Sequence, residues 1–245
     1  MDTNEFIQRA ENGDAQCQLK LGLLLLAKGY PDDISDACVY WLERAADRPF
    51  DAVSSLAVKE LVLLYLRYPG ADAHYVIKRF GRFANHKNPL ALLALGRILF
   101  GDEESPYVMK FGQGRTQHDF RKALLTININ TAPLSPRLKD SERMELGFVM
   151  AEEAVTLAEE LGENNPFNNG DYYAVSALYG ARIAKDTHYF GKRSEHIQSL
   201  LEKYLTYAEK ACQWAETHGA AEAHRLACEA LLSKAQKLNA EYKTG

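Results

Sequence analysis

The chain has 245 residues and a formal net charge of −4, enough length for one solenoid or two modest domains and the wrong sign for a general nucleic-acid binder. No apolar run approaches the roughly 18–20 residues of a membrane span, and Leu21–Ala27 is both short and interrupted by Gly22. The acidic, polar start Met1-Asp2-Thr3-Asn4-Glu5 does not resemble a secretory signal, so the sequence predicts a cytoplasmic protein.

Ala10 to Ala46 reads as one complete helical hairpin. Cys17, Leu21, Leu24 and Leu25 form a stripe of 3.6-residue period, and Leu19, Leu23 and Leu26 make the other faces apolar too. A helix apolar all round is expected to be buried between neighbours. Gly22 within it implies close approach of another helix, since glycine there costs about 1 kcal/mol against alanine. Gly29-Tyr30-Pro31 stops the helix, and Asp32, Asp33 or Ser35 can cap the next. That second helix carries Ile34, Ala37, Cys38, Trp41, Leu42 and Ala45 on one face and leaves Glu43 and Arg44 to water.

Asp14, Asp51 and Asn88 recur at intervals of 37 residues, and their neighbours recur with them: Leu21, Val58 and Leu95; Gly22, Lys59 and Gly96; Leu25, Val62 and Leu99. A fixed period in this range is the signature of a helical solenoid. A second hairpin runs from about Asp51 to Ala84, with Val53, Leu56, Ala57, Leu61, Leu64 and Tyr65 on its first helix and Ala73, Val76, Ile77, Phe80 and Ala84 on its second. Lys59 stands where the other two hairpins have glycine, and a long basic side chain there suits an exposed, concave side. A third repeat opens at Asn88-Pro89, a cap followed by proline in the first turn, and its first helix ends at Gly101.

The register is then lost. Residues 102–117 read as a long inserted loop holding Tyr107, Phe111 and Arg115, with Phe120-Arg121-Lys122-Ala123 as the matching second helix. Residues 128–137, broken by Pro133 and Pro136, are the best internal boundary, between hairpins in 1–127 and longer helices in 138–245. Met144, Gly147, Phe148, Ala151, Val155 and Ala158 stripe the first of these helices, which ends at Gly162. After the turn-rich Asn164–Gly170, a helix from Asp171 shows a small-residue face at Tyr173, Ala177, Gly180 and Ala184. Ile197, Leu200, Leu201, Tyr204, Ala208, Ala211, Cys212 and Ala215 form a regular stripe, and the last helix carries Ala223, Ala227, Ala230, Leu231 and Leu238.

Gly13, Asp14, Ala15, Gln18, Leu21 and Gly22, followed by Trp41, Arg44, Ala45 and Ala46, resemble the Sel1-like repeat, an αα-hairpin relative of the tetratricopeptide repeat. The resemblance implies an all-α, right-handed solenoid of about five hairpins, three Sel1-like and two degenerate, that binds other proteins. A cysteine-rich subgroup of that family cross-links its hairpins through a cysteine at the end of the second helix, where this chain has Ala46. Cys17, Cys38, Cys212 and Cys228 instead all fall on apolar stripes and form no CxxC pair, which predicts buried reduced thiols.

Charge is unevenly placed. Between His74 and Lys122 nine basic residues face four acidic ones, whereas between Asp140 and Glu163 eight acidic residues face only Arg143. The two stretches are either solvated faces or the poles of a molecule whose ends attract different partners, or each other in a head-to-tail dimer.

No enzyme signature emerges. There is no G-x-S-x-G, and Gly112-Gln113-Gly114-Arg115-Thr116 lacks the Lys-Ser/Thr ending of a phosphate loop. His188 with His196 and His218 with His224 are each split by a glycine, so neither pair shares a helical turn as metal ligands would. Glu152-Glu153 and Glu159-Glu160 lie on a solvated side. No cofactor or metal is therefore expected. The sequence predicts a non-enzymatic scaffold, an adaptor, assembly factor or inhibitor-like binder, using Lys59, Tyr107, Phe111 and Arg115 in its first half and Phe167, Tyr172 and Tyr173 in its second. The alternative is a nucleic-acid-associated regulator using Lys78, Arg79, Arg82, Arg115 and Arg121.

Overall fold

The 37-residue interval marks helix starts. In the computed structural model, which describes residues 3–28, 37–67, 73–100, 140–190 and 194–244, each of the three recurring residues caps a helix. Asp14 opens α2 (Ala15–Lys28), its carboxylate accepting from the Cys17 N–H at 3.0 Å. Asp51 opens α4 (Ala52–Arg67) through a reciprocal box: the Ser54 N–H donates to Asp51 Oδ1 at 2.8 Å and the Asp51 N–H donates to Ser54 Oγ at 2.9 Å. Asn88 opens α6 (Pro89–Phe100), accepting from the N–H groups of Leu90 and Ala91. Each cap satisfies donors that a helix start leaves without an intrahelical partner. Just before two of these caps the backbone turns left-handed, at Gly13 (φ 96°) and Lys87 (φ 57°). There the Asp14 and Asn88 N–H groups reach back to the carbonyls of Arg9 and Phe83, closing the preceding helices α1 (Thr3–Glu11) and α5 (Ala73–Asn85).

Every described element is a helix, so the protein is all-α; no strand occurs among the described residues, and none of these helices is long and apolar enough to cross a membrane. Between α2 and α4 lies α3 (Ala37–Ala46), and α7 (Asp140–Glu160) follows α6. The chain divides into two compact units, Met1–Pro166 and Phe167–Gly245, so α7 belongs with the first six helices. The boundary expected at 128–137 lies outside the described residues.

The first unit is held by neighbour-on-neighbour packing, α1 on α2, α2 on α3, α3 on α4 and α5 on α6, with α7 laid along α6. Two glycines set that last contact. A Cβ on Gly147 would sit 2.3 Å from the Phe100 nitrogen and 2.6 Å from the Gly96 carbonyl oxygen, and one on Gly96 would sit 2.7 Å from the Gly147 carbonyl oxygen. Backbone meets backbone, and neither position admits a side chain. Gly22 makes the close approach expected of it, but against a side chain: its Cβ would meet Leu42 Cγ at 2.6 Å.

In the first unit burial departs from the sequence reading most clearly at three places. The leucines of α2 are not sealed in; Leu24 is 57% exposed, and Leu21, Leu23, Leu25 and Leu26 are half-buried. Leu56 of α4, expected in the core stripe, is 40% exposed. Glu43, expected in water, is 9% exposed, because Tyr65, Tyr75 and Arg79 converge on its carboxylate.

The second unit comprises α8 (Asn169–Phe190), α9 (Glu195–Thr217) and α10 (Glu222–Thr244), each packed on the other two. Asn168 and Asp171 cap α8 reciprocally, and Ser194 caps α9 by accepting from the Ile197 N–H. The expected stripe of α9 is buried in full, from Ile197 to Ala215. On α8 the buried face is shifted from the small-residue one: Ala174, Val175, Leu178, Tyr179 and Ile183 point inward and Ala184 outward. On α10 the buried line is Cys228, Leu231 and Ala235, while Ala223, Ala227 and Ala230 face solvent. All four cysteines are buried and unbonded to one another.

Candidate partner-binding surface

The core of the first unit contains one buried carboxylate with three partners. Glu43 on α3 accepts from the hydroxyls of Tyr65 on α4 (2.6 Å) and Tyr75 on α5 (2.8 Å), and pairs with Arg79 Nε at 3.3 Å. Arg79 also lies over the Tyr75 ring, 4.9 Å from its centroid. A charge in a dry interior is tolerated when its lone pairs are met this completely. Burial raises the Tyr65 ionisation well above the usual phenol range and pushes that of Tyr75 up as well, and the Glu43 charge adds to both. One acid thereby ties three successive helices.

One turn further along α3, the chain crosses to α4 as a short ridge, Asp47–Asp51. Asp47 pairs with Arg82 and with His86 Nε2 (3.3 Å), the Phe50 N–H donates to the His86 carbonyl at 3.2 Å, and Arg48 pairs with Asp51 at 3.0 Å. The ridge is thus pinned to the end of α5 and to the cap of α4. Arg79 and Arg82, two members of the proposed nucleic-acid face, are engaged within the protein by Glu43 and Asp47; Lys78 of that face is exposed, and Arg115 and Arg121 lie outside the described residues.

A cavity flanks the ridge on either side. The first, about 480 Å³, runs between α4 and the segment after α7, its walls formed by Phe50, Ser55, Leu56, Lys59, Leu161 and Pro166. It is mixed apolar and polar, and among the described residues on its walls Lys59 is the one cation and Asp51, paired with Arg48, the one acid. Continuing along the same face of α4, Leu63 is 48% exposed. Leu56, Lys59 and Leu63 fall at i, i+3 and i+7, so an apolar, cationic, apolar stripe faces outward. The second cavity, about 450 Å³, lies between the start of α2 and the end of α3, with Gln18, Arg44, Asp47, Arg48 and Pro49 on its walls. Beside it Arg44 donates to the Tyr40 hydroxyl (2.7 Å) and to the Glu11 carbonyl (3.3 Å), and lies over the rings of Tyr40 and Trp41.

The residues expected to bind a partner are placed very differently. Lys59 is exposed in the first cavity. Tyr107, Phe111 and Arg115 lie outside the described residues. Phe167 and Tyr172 are buried, 4% and 9% exposed, in an aromatic ladder: Phe167 meets Tyr172 edge-on, Tyr172 and Tyr179 stack on Tyr207, and Lys210 lies over Tyr172 and Tyr207. Both were expected at a surface, and the ladder instead packs their rings on neighbouring aromatics. Tyr173, next in sequence, is half-buried.

Sequence reasoning missed the Tyr40–Trp41–Arg44 cluster as a surface feature. The signal was present, an arginine at i+3 and i+4 from two aromatics on one helix. It also missed the second unit's buried acid, Asp186, which Arg182 and His196 Nε2 (2.8 Å) both contact. Burial pushes that carboxyl up, and the hydrogen bonds from His196 and Arg182 outweigh it, so it stays below the ordinary carboxylate range. Among the described residues no group of three or more His, Cys, Asp or Glu side chains is placed to hold a metal ion. No protein-family model matches the chain, and searches of curated proteins and of solved structures return no match.

Proposed function

We propose that this protein is a non-enzymatic protein-binding scaffold, an adaptor or assembly factor whose helical hairpins form an α-solenoid of the Sel1-like type. The observation that supports this reading is the outward stripe of α4: Leu56 and Leu63, both exposed, flank Lys59, and two of the three wall a cavity large enough for a few peptide side chains. Exposed leucines at helical spacing beside a concavity are how a groove takes the apolar side chains of a partner segment, and the lysine between them fixes its orientation. The ridge that forms one wall is pinned at several points, so little ordering entropy opposes binding.

The test is affinity capture from native lysate with wild type, Lys59→Glu and Leu56→Asp proteins, each repeated after nuclease treatment. A partner retained by wild type after nuclease and reduced about tenfold or more by either substitution, at unchanged helical content, is the expected result. The same partner set on all three proteins would remove the α4 groove from the interface. A set that disappears with nuclease would replace protein recognition by nucleic-acid association.

A further inference from the structure

The cavity on the α2 side of the ridge has a charge balance that its neighbour lacks. Among the described residues its one acid, Asp47, is already engaged by Arg82 and His86. Its two cations are not balanced in the same way. Arg44 pairs with no carboxylate among the described residues; its contacts are the Tyr40 hydroxyl, the Glu11 carbonyl and two aromatic faces. Arg48 shares one nitrogen with Asp51, while its Nε is buried and meets no acceptor among the described residues. An unmet buried donor is unfavourable, and a small shift of this half-exposed side chain toward the cavity would give it a partner.

Two guanidinium groups therefore border one concavity of about 450 Å³, and one of them is held in place by ring stacking and a backbone carbonyl before any ligand arrives. A guanidinium presents a planar fork of donors that matches a carboxylate. The rings of Tyr40, half exposed, and Trp41, over which the Arg44 guanidinium lies, offer beside that guanidinium an apolar platform that an isolated inorganic anion would leave unused.

We infer that this cavity is a carboxylate-binding site for an acidic peptide segment, which crosses the Asp47–Asp51 ridge and lays its apolar neighbours toward Leu56. The inference rests on the protein-binding reading above and assigns the charge of the bound segment. Arg44 and Arg48 take the carboxylate, Tyr40 and Trp41 pack the segment's aliphatic carbons, and Lys59 meets a second acid on the far side of the ridge.

The arginine Nε–H resonances report the site directly in ¹H–¹⁵N spectra of the full chain. The probe is an acetylated Leu-Glu-Glu-Leu-Glu-Glu peptide, with its glutamine counterpart and inorganic phosphate as comparisons. Saturable shifts at Arg44 and Arg48 with the glutamate peptide, about tenfold weaker or absent with the glutamine peptide, are expected. Arg44→Gln should abolish the response at Arg48; if that variant loses helical content, Arg48→Gln, on the irregular ridge, should abolish the response at Arg44. Equal shifts with both peptides would overturn the site, as would tighter saturation by phosphate than by the glutamate peptide. Line broadening that grows with protein concentration alone and vanishes in Arg44→Gln would give the carboxylate to a second copy of this chain instead. Lys59→Glu distinguishes the two readings: lost capture in lysate with silent arginine resonances would keep protein recognition and dismiss only the carboxylate site.

Discussion

Asp186 shows how a single side chain sets a pH limit on stability. It is 3% exposed, and its carboxylate contacts Arg182 and His196, which hold its ionisation below the ordinary range despite burial. A carboxyl with a lowered folded value contributes stability that is fully present above the unfolded value, about pH 4, and is lost as pH falls through the folded one. Asp186→Asn should therefore destabilise the protein by about 2 kcal/mol at pH 7 and by progressively less below pH 4, read from urea midpoints across that range. An unchanged pH profile would show that the acid is structurally idle. Half of this site was legible in the sequence, since Arg182 and Asp186 stand at i, i+4; His196 was not, because it comes from the next helix. Glu43 misled for the same reason. Its place at the edge of the α3 stripe suggests water, and the two tyrosines and the arginine that bury it lie 22 to 36 positions further along the chain.

At the scale of elements, the repeat was read from the caps and the glycines, and both are local features. Asp14, Asp51 and Asn88 cap helices because a short polar side chain at a helix start has few other uses, so their spacing carried over into structure directly. The glycines rank by what they touch. Gly147→Ala drives a Cβ into the backbone of α6 and should cost about 3 kcal/mol or more. Gly96→Ala should cost somewhat less, its tightest contact being 2.7 Å rather than 2.3 Å. Gly22→Ala meets the side chain of Leu42, which can move, and gains about 1 kcal/mol of helix propensity in compensation. Its net effect should be the smallest of the three. Urea denaturation of the three variants checks the order, and a reversal of Gly147 and Gly22 would mean that α6 and α7 can separate at little cost. The α6–α7 contact itself was hidden from sequence reading by the 39 residues between the two helices.

For the molecule as a whole, the charge map was the least reliable guide. Counting charges along the sequence gave a basic stretch and an acidic one, but folding brings Glu43 of α3 and Asp47 of the ridge onto Arg79 and Arg82 of α5, pairing two of the nine basic residues within the protein. Lys59 and Arg44, which meet no carboxylate among the described residues, lie on other helices, α4 and α3. Lys59 was legible because it breaks a repeat pattern. Arg44 was read only as a solvated residue, because the aromatic contacts that hold it and the cavity beside it are set by the fold. Aromatic residues near turns were likewise a poor guide to exposure: beside the capping box at Asn168–Asp171, Phe167 packs on Tyr172 and Tyr172 on Tyr207.

The Glu43 cluster also makes the protein optically informative. Tyrosines in water ionise near pH 10 and then absorb at longer wavelength. Tyr65 and Tyr75 retain their protons beyond that because burial and Glu43 oppose the phenolate. Native protein brought to pH 11 should therefore show fewer ionised tyrosines than the 13 in the sequence, with the missing absorbance appearing only on denaturation. Glu43→Gln should return part of that absorbance to the native protein. Full ionisation of all 13 without unfolding would mean that the α3–α4–α5 junction is open to solvent. Because the two phenols sit where three helices meet, ultraviolet absorbance can follow the opening of that junction in real time, with no dye or label attached.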